Sequence, residues 1–145
     1  LIRKISVMEN VLIDTDVILD FFFDRKPFSD DASQILNLCE KGQVKGFVTS
    51  VIISNIYYLL RKTANHRNVI DSLKILMNFI DICNIDKDTI LSAMNSEFKD
   101  FEDALQNFSA QNDSRISIII TRNTKDFKLS ELSVMTPELF LKTLN

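Results

Sequence analysis

Two kinds of apolar pattern alternate along this chain. Short apolar runs occur at Val11 to Ile13, Gly46 to Thr49, Asp81 to Ile85 and Ile116 to Ile120, with a last one about Val134. Runs of that length, rich in β-branched residues, predict buried strands of a parallel sheet. Between them, apolar residues recur at helical spacing. The first helix is expected over Val17 to Phe23, with Thr15 or Asp16 as its cap. Pro27 then breaks the chain in a polar turn. A second helix over Asp30 to Lys41 buries Ala32, Ile35, Leu36 and Cys39 and ends at Gly42. Ser50 is the expected cap of a third helix, Val51 to Thr63, whose stripe is Ile52, Ile53, Ile56, Leu59 and Leu60. After a turn at Asn65 to Arg67, residues Val69, Ile70, Leu73, Leu76, Met77 and Ile80 mark a fourth. Asp86 caps a fifth containing Ile90, Leu91 and Met94. Asp100 caps a sixth, Phe101 to about Gln111, with Asp103 at its third position. Thr136-Pro137-Glu138 starts the last.

Strands alternating with helices imply an α/β fold with a parallel sheet of four or five strands and crossover helices. Residues 11–145 are expected to form one domain, and residues 1–10 an N-terminal extension. Leu1 to Val7 precede the first methionine, Met8, and are left out of the core.

Composition narrows the chemistry. With 46% apolar residues among 145, the chain is long and apolar enough for a sizeable core. The net charge of −3 provides no global basic field, so nucleic acid would have to be met by a local patch. Cys39 and Cys83 sit in apolar runs without a CxxC pair and read as reduced, buried thiols. A single histidine, His66, leaves little material for a zinc site or a histidine triad. No apolar run approaches a membrane span, and the cytoplasm is the expected location.

Three polar clusters fall at strand–helix junctions: Asp14 with Asp16, Asp100 with Asp103, and Asn123 with Asp126. In open α/β sheets, ligands bind at the carboxyl ends of the strands. Carboxylates grouped there without His or Cys suit Mg²⁺ or Mn²⁺. Such a site orients a water, lowers its pKa and stabilises in-line attack on a phosphodiester. Left to themselves, the acids should raise at least one pKa. The plainer alternative is that Asp16 caps a helix and Asp14 is a solvated strand end. Arg61, Lys62, Arg122, Lys125 and Lys128 are placed to meet a phosphate backbone or to form a solvated rim. Asn55 falls at the edge of the third helix's stripe, where it would border a cleft. Phe21, Phe22 and Phe23 cannot all face one core, so one is expected at the surface.

The stretch Leu12-Ile13-Asp14-Thr15-Asp16-Val17-Ile18-Leu19-Asp20 resembles the opening motif of PIN-domain ribonucleases, the fold of VapC-type toxins of toxin–antitoxin modules. Phe101-Glu102-Asp103-Ala104-Leu105, followed by Ala110, resembles their third-acid helix. Thr121-Arg122-Asn123-Thr124-Lys125-Asp126-Phe127 resembles their motif after the fourth strand. The resemblance runs over nearly the whole chain from Val11, and three weak motifs in order make a fairly specific one. It implies a three-layer α/β/α sandwich and a Mg²⁺- or Mn²⁺-dependent endoribonuclease. Its catalytic set would be Asp14, Asp16, Asp103, Asn123 and Asp126, with Asp14, Asp103 and Asn123 on the metal. Asp100 would support Asp103, and Arg122, Lys125 and Arg61 would bind substrate. RNA, a protein antitoxin and a second copy of the chain are the implied partners, with no membrane.

One departure stands out. Val51 to Leu60 resembles the family helix that normally carries a Glu, and Asn55 occupies that place. With Asn123 also neutral, two charges are missing, which implies weaker metal binding and an impaired nuclease. Two other readings remain open at this point. One is a degenerate PIN domain that binds RNA or protein. The other is a haloacid-dehalogenase-type phosphatase, which Asp14-Thr15-Asp16-Val17 partly fits and the Asp103 helix does not.

Overall fold

A computed structural model describes residues 8–144. Five parallel strands form one sheet: β1 (Glu9–Ile13), β2 (Val44–Val48), β3 (Ile80–Ile82), β4 (Ile118–Ile120) and β5 (Ser133–Met135). Their spatial order is β3-β2-β1-β4-β5. Among the described residues six helices connect them, α1 (Thr15–Phe22), α2 (Ser29–Glu40), α3 (Ser50–Leu60), α4 (His66–Met77), α5 (Lys87–Met94) and α6 (Phe101–Gln111), and α7 (Pro137–Thr143) follows β5. The architecture is the expected α/β sandwich. β1 begins at Glu9, so Glu9 and Asn10 already pair with β2.

The central strands account for the core. Val11, Leu12 and Ile13 of β1, Phe47 and Val48 of β2, and Ile119 and Ile120 of β4 have no exposed surface. Full burial of residues that point to alternate faces means that both faces of the sheet are covered. Each such side chain contributes roughly 1.5–3 kcal/mol of transfer free energy. Gly46 of β2 is part of the same packing. A Cβ there would lie 2.8 Å from both Cys39 Sγ and Ile80 Cδ1, so the helix, the strand and their neighbour close over a bare backbone. Cys39 and Cys83 are buried and unpaired. Burial pushes the Cys39 thiol up to about 12.

Three of the first helices start earlier than expected: α1 at Thr15 instead of Val17, α2 at Ser29 instead of Asp30 and α3 at Ser50 instead of Val51. Asp14, not Thr15 or Asp16, caps α1, and Thr49, not Ser50, caps α3. In both cases the strand's last residue turns directly into the cap, so the capping oxygen sits on the sheet edge. The fourth helix begins earlier, at His66 behind the Asn65 cap, and stops at Met77. Ile80 opens β3 instead, because its side chain completes the sheet's buried face. The caps Asp86, Asp100 and Thr136 fall where local sequence puts them. The loop after β4 contains a short 3-10 turn, Thr124–Phe127, whose Phe127 is anchored in the core. Of the three consecutive phenylalanines, Phe21 is the exposed one, while Phe22 and Phe23 pack on the core.

Candidate active site

From β1 the chain builds outward to β2 and β3, then returns through α5 and α6 to β4 on the other side. β1 and β4 are therefore neighbours across the topological switch point, where open α/β sheets bind ligands. Ile13 is paired with Ile120, which brings the next residues, Asp14 and Thr121, side by side. The Asp14 N–H donates to Ile120 O at 2.9 Å. Asp14 Oδ1 accepts the Thr15 N–H at 2.8 Å and Oδ2 accepts the Thr121 hydroxyl at 2.8 Å. Thr121 Oγ1 in turn accepts the Asn123 N–H at 3.0 Å, and Asn123 Nδ2 donates to Asp16 Oδ2 at 3.0 Å. The first and third sequence clusters are thus one hydrogen-bonded chain. Asp16 Oδ1 is buried without a hydrogen-bond partner.

The second cluster arrives on α6. Asp100 caps the helix by accepting the Asp103 N–H at 2.9 Å. Asp100, Asp103 and Asp126 line a cleft of about 230 Å³ together with Lys99, Lys125 and Lys128, and Phe98 and Leu129 supply apolar lining. Asp14, Asp100, Asp103 and Asp126 lie within electrostatic reach of one another. Burial pushes Asp103 up to about 7, and the charges of Asp100, Asp14 and Asp126 add to the rise. Asp16 also reaches about 7, from burial and then Asp14, although Arg122 pulls it back. Burial likewise raises Asp14, against the hydrogen bonds from Thr121 and Thr15. Asp16 and Asp103 are therefore carboxylates that hold protons near neutrality unless a cation offsets their charge.

The basic residues divide. Lys125 stands in the cleft, as do Lys128 and Lys99, the last not singled out from sequence. Arg122 is turned elsewhere: Nε and Nη2 make a bidentate pair with Asp20, at 2.6 and 3.1 Å, and its guanidinium stacks on Phe28 with Cζ 4.1 Å from the ring centroid. Asp20 is only 1% exposed, and a charge so buried requires that partner. Arg122 is thus held by Asp20 and Phe28 and does not line the cleft with Lys125. Arg61 donates to Ala64 O at 3.0 Å just past the end of α3, about 18 Å along the helix from Thr49. The structure does not bring it to the cleft. In the sequence Thr121 is only one member of a motif, and a threonine ending an apolar strand carries no signal of its donor role. Asn55 donates through Nδ2 to Glu102 Oε1 on the first turn of α6.

Among the described residues, no three acids, histidines or cysteines stand close enough together to hold a metal ion as their side chains lie. In kind, however, the residues fit a hard divalent cation. The donors are all oxygen, Asp16 and Asp103 hold protons near pH 7, and Asp16 presents a buried, unpartnered oxygen.

A parallel α/β sheet with carboxylates at its switch point defines a class of open α/β proteins whose ligand site suits a hard cation. Known proteins make the class specific. The profile described as "PIN domain" matches residues 10–125, from β1 into the 3-10 turn, and so includes Asp14, Asp103 and Asn123. The chain belongs to the PIN domain family. It is 26% identical over 142 residues to "Ribonuclease VapC1" of Aquifex aeolicus (strain VF5), covering 94% of this chain and 96% of that protein. A "Toxin-antitoxin complex from Klebsiella pneumoniae" contains a chain of 25% identity and TM-score 0.66, with 88% of this chain and 97% of that one covered. VapBC-1 from nontypeable Haemophilus influenzae shares the fold at TM-score 0.64 and 12% identity, over 89% and 98% of the two chains. Family membership sets aside the phosphatase reading.

Proposed function

We propose that this chain is a divalent-metal-dependent endoribonuclease and the toxin of a toxin–antitoxin pair. The observation that carries the reading is that Asp14, at the β1–β4 switch point, lies within electrostatic reach of Asp103 and Asp126, in a chain that resembles a ribonuclease along nearly its whole length. Asp14, Asp103 and the Asn123 carbonyl would hold Mg²⁺ or Mn²⁺. When bound, the ion lowers the pKa of water and offsets charge that develops on the phosphodiester.

The chain's own groups do the rest. Thr121 holds the Asp14 carboxylate in orientation, and Asn123 does the same for Asp16. Asp126, in the cleft, is the acid placed to take a proton from an attacking water. Lys125 and Lys128 on the rim receive phosphate oxygens of the RNA. A protein antitoxin as partner is supported by the toxin–antitoxin complexes that share this fold. A homodimer and a cytoplasmic location complete the proposal. No helix among the described residues is long and apolar enough to cross a membrane. A second reading, a degenerate PIN domain that binds RNA or protein, is favoured by the amides at 55 and 123.

The test is cleavage of single-stranded RNA with Mn²⁺ and with EDTA. Wild type should cleave only with the metal, and Asp14→Asn should not cleave. Cleavage that survives both EDTA and Asp14→Asn belongs to a contaminant. RNA binding without cleavage supports the degenerate reading.

A further inference from the structure

The third helix of the family pattern contributes a Glu, and here residue 55 is Asn. What faces that Asn decides whether the charge is lost. Two side-chain hydrogen bonds join α3 to α6. Thr49 Oγ1, at the cap of α3, donates to Gln106 Oε1 at 2.6 Å. Six residues on, Asn55 Nδ2 donates to Glu102 Oε1. The Thr49–Gln106 pair is buried, with 0% and 1% exposure, so it fixes how the two helices meet. The carboxylate of Glu102 therefore lies against the position where relatives would carry theirs. Its charged neighbours are Asp100 and Asp14, and Glu102 is in turn a neighbour of Asp103.

We propose that Glu102 supplies the metal site with the carboxylate that the family takes from the third helix, and that Asn55 is the residue that positions it. The proposal rests on the metal-dependent reading above. A carboxylate has two oxygens and about four acceptor sites. Oε1 receives the Asn55 amide, which leaves Oε2 for a cation. An amide is also the residue type this arrangement requires at 55. A Glu there would set two carboxylates against each other, each raising the other's cost of ionisation. The departure at 55 and the acid at 102 are one exchange: the negative charge has moved from α3 to α6. The competing account gives Glu102 a structural role only, at the second position of α6, where an acid complements the helix dipole.

Calorimetric Mn²⁺ titration of the full chain separates these accounts, with thermal unfolding without metal as a check of folding. The set is wild type, Asp14→Asn, Glu102→Gln, and the exchange variant Asn55→Glu with Glu102→Gln. Glu102→Gln should weaken Mn²⁺ binding by about tenfold or more. The exchange variant, which returns the carboxylate to α3 and keeps an amide opposite it, should recover most of that loss. A role limited to the helix dipole predicts lower apo stability in both variants and unchanged Mn²⁺ affinity. If Glu102→Gln binds Mn²⁺ as wild type does while Asp14→Asn does not, the assignment of Glu102 is wrong and the metal site stands. If wild type itself binds no Mn²⁺, the metal-dependent reading falls and takes this one with it.

Discussion

The Thr121 hydroxyl, fully buried at the end of β4, donates to Asp14 Oδ2 at 2.8 Å across 107 residues of sequence and accepts the Asn123 N–H on its other side. One oxygen thereby links the two strand ends that make the cleft. Thr121→Val keeps the shape and removes both bonds. It should cost about 1–3 kcal/mol in chemical denaturation, because two buried polar partners lose their match. Thr121→Ser should retain most of that stability. A valine variant as stable as wild type would show that the hydroxyl is dispensable.

The raised acids make apo stability depend on pH. Asp16 and Asp103 titrate at about 7 when folded, against about 4 when unfolded. Between those values the folded state binds more protons than the unfolded one, so stability falls as pH rises. The contribution is fully present below about pH 4 and lost above about pH 7. Without metal, the Tm should therefore be higher at pH 5.5 than at pH 8. Both groups are partly solvated, which lessens the effect. A saturating divalent cation at pH 8 should raise the Tm again, since it binds only the folded site. Differential scanning calorimetry at the two pH values, with and without Mn²⁺, reads both effects. An apo Tm that climbs from pH 5.5 to 8 would contradict the assignment.

Arg122 and Asp20 should respond unequally to substitution. Arg122→Met leaves Asp20 buried, with Arg25 as its remaining ion-pair partner at 3.6 Å. The expected cost lies near the lower end of the about 3–5 kcal/mol typical of a broken buried pair, because Arg122 itself is partly exposed. Asp20→Asn leaves a cation that can still reach water, and should cost less. Urea unfolding of the two variants measures the asymmetry. If Arg122→Met instead keeps its stability and loses RNA binding, the arginine serves substrate after all.

Lys125 and Lys128 should act on RNA through charge. In an Asp14→Asn background, which prevents cleavage, each Lys→Ala change should weaken binding of single-stranded RNA. Each should also reduce the slope of log K against log salt by about 0.7 if it removes one phosphate contact. Arg61→Ala should leave the slope unchanged, since its guanidinium serves Ala64 beyond the end of α3. Fluorescence anisotropy at several salt concentrations is sufficient. An Arg61→Ala effect as large as that of Lys125→Ala would place α3's far end on the RNA path.

The alternation of strands and helices was legible because it depends on periodicity. So were the caps at Asp86, Asp100 and Thr136, each of which bonds to a backbone N–H three residues on. Asp14 could be placed at a strand's carboxyl end for the same reason, from a run of three apolar residues and the helix behind it. Local patterns cannot name a side chain's distant partner. Arg122 with Asp20 spans 102 residues, Asn55 with Glu102 spans 47, and Thr121 with Asp14 spans 107. Those pairings follow from the strand order that sets β4 beside β1, and from the placement of α6 beside α3. Both are settled by burial summed over the whole core, not by the residues that come to touch. For that reason sequence could set Asp14 at a strand end and Asp100 at a helix start, whereas only tertiary packing decided that Arg122 pairs with Asp20, that Thr121 bonds to Asp14, and that Glu102 from α6 meets Asn55.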